Sequence, residues 1–131
     1  MKTILLTITG LIFFSFSGPE TACRRLHTGK FKMISKQTGT VYIYRSRNRQ
    51  VEIDKEAGIR VMYRVEWPDE CTYVLFDSKV IKGDPSMAGN PADTLTVKIT
   101  SIAEKSYTVL TTSNFSSLEM ESELIILKLN N

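Results

Sequence analysis

Apolar and polar residues alternate with a period of two along most of the chain from residue 29 onward. This period indicates strands with one buried face, because successive side chains of a strand point to opposite sides of the sheet. The predicted strands are Gly29–Ser35, Thr40–Arg45, Gln50–Asp54, Ile59–Trp67, Cys71–Asp77, Leu95–Ser101, Ser106–Ser113 and Met120–Leu129. Ile59–Trp67 is the clearest, with apolar and aromatic residues at every second position.

Short polar segments separate these strands. A turn of residues 46–49 and a turn of residues 55–58 are predicted, and Gly58 is available there for a positive φ angle. The longest loop is Lys82–Asp93, with two prolines and two glycines. No stretch has a convincing apolar period of 3.6, so no sustained helix is expected. We therefore predict an all-β domain, a single antiparallel meander of about eight short strands that forms a small barrel or half-barrel.

The N-terminal segment has the pattern of a secretory signal peptide. Lys2 precedes an apolar run of about 11 residues, and small residues follow it. Ser15 and Ser17 satisfy the requirement for small residues near the cleavage site, so we expect residues 1–17 to be removed and residues 18–131 to form the domain. The run is shorter than the roughly 20 residues that span a bilayer. We expect a periplasmic or secreted protein with no transmembrane segment after processing.

The chain has two cysteines, Cys23 and Cys71. In an oxidising compartment the simplest prediction is one disulfide between them. Two alternatives stay open, namely a pair of free buried thiols, and a lipidated Cys23 that attaches the protein to the outer membrane and leaves Cys71 unpaired. Thr21 and Ala22 fit a lipidation signal, whereas Glu20 does not.

Size and charge limit the classes of function. Removal of residues 1–17 leaves 114 residues, enough for one compact domain, which we expect to be a monomer. The remaining chain has 16 basic and 14 acidic residues, and this balance does not indicate a nucleic-acid partner.

Several residues together resemble a known group of proteins. They are Cys23, the segment 28–31, Trp67 with Cys71, Tyr73 and Leu75, the alternating Leu95, Val97 and Ile99, and Tyr107 with Val109. This pattern is similar to that of small exported proteins from Bacteroidota, a largely uncharacterised group. The resemblance implies a lipocalin-like β-barrel or half-barrel and supplies no catalytic residues. Some members carry the name DNA topoisomerase IV, but a domain of 114 residues has no room for an ATPase and a DNA gate.

Two sets of residues are candidates for binding. Aromatic residues could line a ligand cavity inside a barrel, or simply fill its core. These are Tyr63, Trp67, Tyr73, Phe76 and Tyr107. Arg45, Arg47 and Arg49 alternate around a hairpin tip, where they could bind an anionic glycan, a lipid head group or an acidic protein surface. Alternatively, the tip is solvated and keeps the strand edge from aggregating.

No set of residues indicates catalysis, a cofactor or a metal site. His27 is the one histidine, and spacing alone gives it no nucleophile or carboxylate partner. Asp69, Glu70 and Asp77 lack the spacing of a calcium loop. We therefore expect a protein that is not an enzyme.

These observations lead to two functional hypotheses. The first is a non-catalytic binding protein of the cell envelope that holds a small apolar molecule in its barrel, around Trp67 and Tyr73. The second is a protein-interaction or inhibitor module that uses the Arg45–Arg49 hairpin and the Lys82–Asp93 loop on its exterior. The partner is accordingly a small molecule or an envelope protein.

Overall fold

The computed structural model describes residues 19–35 and 39–130. The predicted signal peptide, residues 1–17, lies outside the described residues. The strands are β1 (Gly29–Ser35), β2 (Gly39–Arg45), β3 (Arg49–Asp54), β4 (Ile59–Asp69), β5 (Thr72–Lys82), β6 (Leu95–Ile102), β7 (Ser106–Ser113) and β8 (Met120–Leu129). A short helix α1 (Pro19–Arg24) precedes them, and a 3₁₀ turn (Pro85–Ala88) lies between β5 and β6.

The eight strands form one closed antiparallel barrel in which each strand pairs with the next and β8 pairs with β1. The predicted meander is confirmed, and it closes completely instead of stopping as a half-barrel. Closure satisfies the hydrogen-bonding groups that an edge strand would expose. Gly29 lies at the junction, opposite Arg45 on β2 and Leu129 on β8. A Cβ atom at Gly29 would lie 2.4 Å from the carbonyl oxygen of Lys128, so only glycine fits where the barrel closes.

Strand β5 continues past its predicted end at Asp77, as far as Lys82. Asp77 has a φ of +52°, and the register with β4 shifts in this region. Arg64 pairs with Phe76, whereas Met62 pairs with Lys79. Such a bulge bends and twists a strand, which helps a long strand follow the curvature of a small barrel. The polar pair Asp77–Ser78 resembles a turn in the sequence, which explains why the predicted strand was too short.

The barrel has two different ends. One, which we name the closed end, carries α1 and the turns of residues 46–48, 70–71 and 103–105. The other, the open end, carries the turn of residues 55–58 and the loops of residues 83–94 and 114–119. Helix α1 was not predicted, since six residues are too few to show an apolar period. Among the described residues, no helix is both long and apolar enough to cross a membrane.

The predicted disulfide joins α1 to the closed end. The Sγ atoms of Cys23 and Cys71 lie 2.06 Å apart, so neither cysteine is a free thiol. Leu26, which follows α1, is completely buried. The segment after the helix therefore closes this end of the barrel.

The core consists of the inward-facing side chains of the strands together with two residues of the N-terminal segment. Along β7, for example, Tyr107 and Val109 are buried, whereas their neighbours Thr108 and Leu110 are less so. The buried apolar cluster contains Cys23, Leu26, Phe31, Ile43, Val65, Tyr73, Leu75, Val97, Ile99, Tyr107, Val109 and Leu124.

Loss of the disulfide should destabilise the barrel. We expect the C23A/C71A double variant to lose about 4 kcal/mol of unfolding free energy, because the unfolded chain is freed from a long loop closure. The bond spans 48 positions of sequence. Urea denaturation of the variant beside the oxidised wild type measures this difference. Equal unfolding free energies would show that the bond adds no stability.

Candidate functional site

Arg45 lies inside the barrel. It follows Val41 and Ile43 in the alternation of β2, and only 2% of its surface is exposed. The prediction that Arg45 shares an exposed hairpin tip with Arg47 and Arg49 is therefore wrong. The same period of two that buries Ile43 also buries Arg45, since both side chains point to the same face.

The Arg45 guanidinium makes hydrogen bonds in several directions. Its Nη1 donates to the carbonyl oxygen of Leu26 (2.8 Å), and its Nη2 donates to the hydroxyl of Tyr73 (2.9 Å). Both Nη atoms lie 3.3 Å from the hydroxyl of Tyr107, and Nε donates to Oε1 of Gln50 at 2.7 Å. A buried cation is tolerated only when its donors are satisfied in this way. Arg45 thereby ties the segment after α1 to strands β3, β5 and β7.

Aromatic rings surround the same guanidinium. The rings of Tyr73 and Phe31 lie 4.4 and 4.8 Å from its central carbon, and the ring of Trp67 lies 5.8 Å from it. These separations are typical of cation–π contacts, which gain strength where water is excluded. Trp67, Tyr73 and Tyr107 all lie close to the Arg45 guanidinium, which occupies the space among them.

A polar chain runs from Arg45 along β3. Gln50 accepts from Arg45 and donates through Nε2 to Oε1 of Glu52 at 3.0 Å. Burial raises the pKa of Glu52, although the hydrogen bond from Gln50 and the charge of Arg45 both act to lower it. In the described part of the chain, a cation and a carboxylate inside the barrel are therefore linked through a neutral amide.

A cavity lies between this polar chain and the open end. Its volume is about 120 Å³. It is lined by Met33, Ile43, Gln50, Glu52, Tyr73, Leu75, Leu95, Val97, Val109, Thr111, Met120, Ser122 and Leu124. Most of this wall is apolar. Glu52 is the only carboxylate among these lining residues, and Thr111 and Ser122 add hydroxyl groups.

The predicted aromatic set does not line the cavity as a group. Only Tyr73 contributes to its wall. Tyr63 faces inward and lies instead beside Leu75 and Met87, near the loop of residues 83–94. Phe76 lies on the outer face, where Arg64 sits 5.3 Å from its ring. Its assignment to the interior is wrong, because alternation along β5 directs Phe76 opposite to Tyr73 and Leu75.

The second predicted surface is divided between the two ends of the barrel. Arg47 and Arg49 are exposed at the closed end. The Lys82–Asp93 loop lies at the open end. The arginine hairpin and this loop therefore do not form one continuous surface.

His27 has a structural position at the closed end. Its ring stacks on Trp67 with the centroids 3.5 Å apart, and its Nε2 lies 2.8 Å from the carbonyl oxygen of Glu70. Arg24 forms an ion pair with Glu70 at 2.8 Å, and this contact lowers the pKa of the Glu70 carboxyl. The indole Nε1 of Trp67 is buried without a hydrogen-bond partner in the described part of the chain. Within residues 19–35 and 39–130, no group of three metal-ligating side chains comes together.

Sequence reasoning missed Gln50 and Glu52. In β3 the polar residues Gln50 and Glu52 face the interior, and Val51 and Ile53 face outward. A rule that places apolar residues inside assigns this strand the wrong way round. The signal that identifies the inward face of β3 is its pairing with β2. Gln50 lies opposite Arg45 and Glu52 lies opposite Ile43, and the side chains of Arg45 and Ile43 both point inward.

Comparisons with protein-family models, curated proteins and solved structures give no significant match to this chain.

Replacement of the buried arginine should be costly. We expect R45M to lower the unfolding free energy by about 3 kcal/mol, because it leaves Glu52 without its cation and removes the donors to Tyr73 and Leu26. The matched variant R47M removes an exposed arginine and should change stability by less than about 0.5 kcal/mol. Urea denaturation of both variants measures the difference. Equal effects would mean that the buried network contributes nothing specific.

Stability should also fall at alkaline pH. Burial, together with the charge of Glu52, raises the pKa of Tyr63. The unfolded chain therefore releases this proton first, above a pH of about 10, and stability declines as pH rises. Y63F should reduce this decline by about 1.4 kcal/mol per pH unit while leaving the stability trend below pH 9 unchanged. Denaturation between pH 8 and 11 tests this, and superimposable wild-type and Y63F slopes would contradict it.

Proposed function

We propose that this chain is a non-catalytic binding protein of the cell envelope that holds one small, largely apolar molecule in the open end of its barrel. The observation that carries the proposal is the cavity of about 120 Å³ beside Glu52. A closed eight-stranded meander is an architecture that lipocalins use to hold a ligand, which supports a lipocalin-like role.

The size of the cavity limits the ligand. A dry engineered cavity of about 150 Å³ accepts benzene. A cavity of about 120 Å³ accordingly suits a group of about five or six non-hydrogen atoms. Larger molecules would extend through the open end. The expected location of the ligand thus moves from the surroundings of Trp67 to the opposite half of the barrel.

The proposed location in the envelope rests on two features. The apolar segment after Lys2 is typical of an exported protein. The Cys23–Cys71 disulfide suits an oxidising compartment.

A second candidate function is supported by the rim of the open end. Large apolar side chains are exposed there, and Leu118 is the most exposed at 79%. The rim residues are Ile34, Ile81, Met87, Phe115, Leu118 and Met120. Clustered exposed apolar residues are typical of protein-interaction sites. The interaction module predicted from the sequence would then act through the open end, not through the arginine hairpin.

Native mass spectrometry of protein purified from its natural host tests the binding proposal. We compare wild type with T111F, which places a ring in the cavity, and with T112F, which makes the same change on the opposite face of β7. We expect an adduct that denaturation removes from wild type and T112F, and no adduct on T111F. Bare wild-type protein would refute the proposal and favour a protein partner, and adducts on all three proteins would place the ligand elsewhere.

A further inference from the structure

We infer that the cavity selects small amphiphiles with a protonated amine and disfavours those with a carboxylate. This inference rests on the proposed binding function and adds the chemical class of the ligand. Its basis is the polar chain from Arg45 through Gln50 to Glu52, which ends at the cavity wall.

The polar chain places the Glu52 carboxylate at the cavity wall and holds the Arg45 guanidinium at the closed end. The Arg45 guanidinium donates to Gln50, Leu26, Tyr73 and Tyr107, so its positive charge is held at the closed end. The Gln50 amide is also used on both sides, since it accepts from Arg45 and donates to Glu52. A ligand in the cavity therefore meets the carboxylate and not the guanidinium.

Glu52 has capacity for one more strong hydrogen bond. Among the described residues, Gln50 is the only donor to its carboxylate, and that bond uses Oε1. A carboxylate accepts through both oxygens, so Oε2 remains for a ligand. None of the described lining residues is a cation that would attract an anionic head group. The hydrogen bond from Gln50 and the charge of Arg45 favour the ionised form of Glu52 against the effect of burial, and a bound ammonium favours it further. An ammonium group gains a charge-assisted hydrogen bond with this carboxylate, whereas a ligand carboxylate meets a like charge.

The rest of the cavity wall would contact the apolar part of the ligand. Aliphatic and methionine side chains surround the space, including Met33, Val97 and Met120. An unbranched chain of a few carbons fits a cavity of about 120 Å³, and the open end accommodates any excess length. A small alkylamine combines both requirements.

The test uses three probes with the same alkyl chain, namely n-pentylamine, 1-pentanol and pentanoate. Backbone amide NMR titrations at neutral pH measure the affinity of each for wild type, for E52Q and for the control E66Q, which removes an exposed carboxylate from β4. We expect pentylamine to bind wild type and E66Q about tenfold more tightly than pentanol, and pentanoate to bind most weakly. In E52Q, the affinity for pentylamine should fall to the affinity for pentanol.

Binding of pentanol to E52Q reports that the cavity is intact, so loss of amine preference is not confused with misfolding. Equal affinities of the three probes for wild type, or an amine preference that survives in E52Q, would overturn the inference while the binding function stands. Failure of all three probes to shift any cavity resonance in wild type would overturn the inference together with the binding function.

Discussion

The structure depends on a buried guanidinium. Arg45 lies within a barrel of apolar and aromatic side chains, where an unsatisfied charge is strongly unfavourable. The surrounding elements must therefore supply acceptors in fixed places, and they do so from the segment after α1 and from strands β3, β5 and β7. Each of these positions is far from the others in sequence. Burial of one charge thus specifies how the closed end is assembled.

This requirement gives the two ends of the barrel different properties. At the closed end, Leu26 and the aromatic rings pack around Arg45, and the Cys23–Cys71 bond holds the covering segment in place. Buried side chains, among them Arg45, Phe31 and Tyr107, occupy the interior at this end. Toward the open end the polar chain stops at Glu52, and the side chains beyond it leave a cavity of about 120 Å³. The interior is thus filled around Arg45, and the cavity lies between Glu52 and the open end.

Much of the fold is predictable from the sequence because local alternation determines it. The strand count, the meander and the paired cysteines all follow from periodicity, short turns and an even cysteine number. The site is less predictable because it depends on residues that break the apolar-inside rule. In β3, Glu52 faces inward and Val51 outward, and only pairing with β2 reveals this. Asp77 is a similar case, since a bulge in a curved strand looks like a turn in sequence.

The same inversion in β3 connects the fold to the proposed ligand. If Val51 and Ile53 faced inward, the described cavity wall would lose its carboxylate and its amide, and hydroxyl groups such as those of Thr111 and Ser122 would be its polar contacts. Because Gln50 and Glu52 face inward, Arg45 has Gln50 as a hydrogen-bond partner, and the cavity wall has the Glu52 carboxylate as an acceptor. In the proposed function, the charge that compensates the buried cation is therefore also the group that the ligand would meet. The hydrogen-bond network of the closed end and the proposed selectivity of the open end are thus linked through a single amide, that of Gln50.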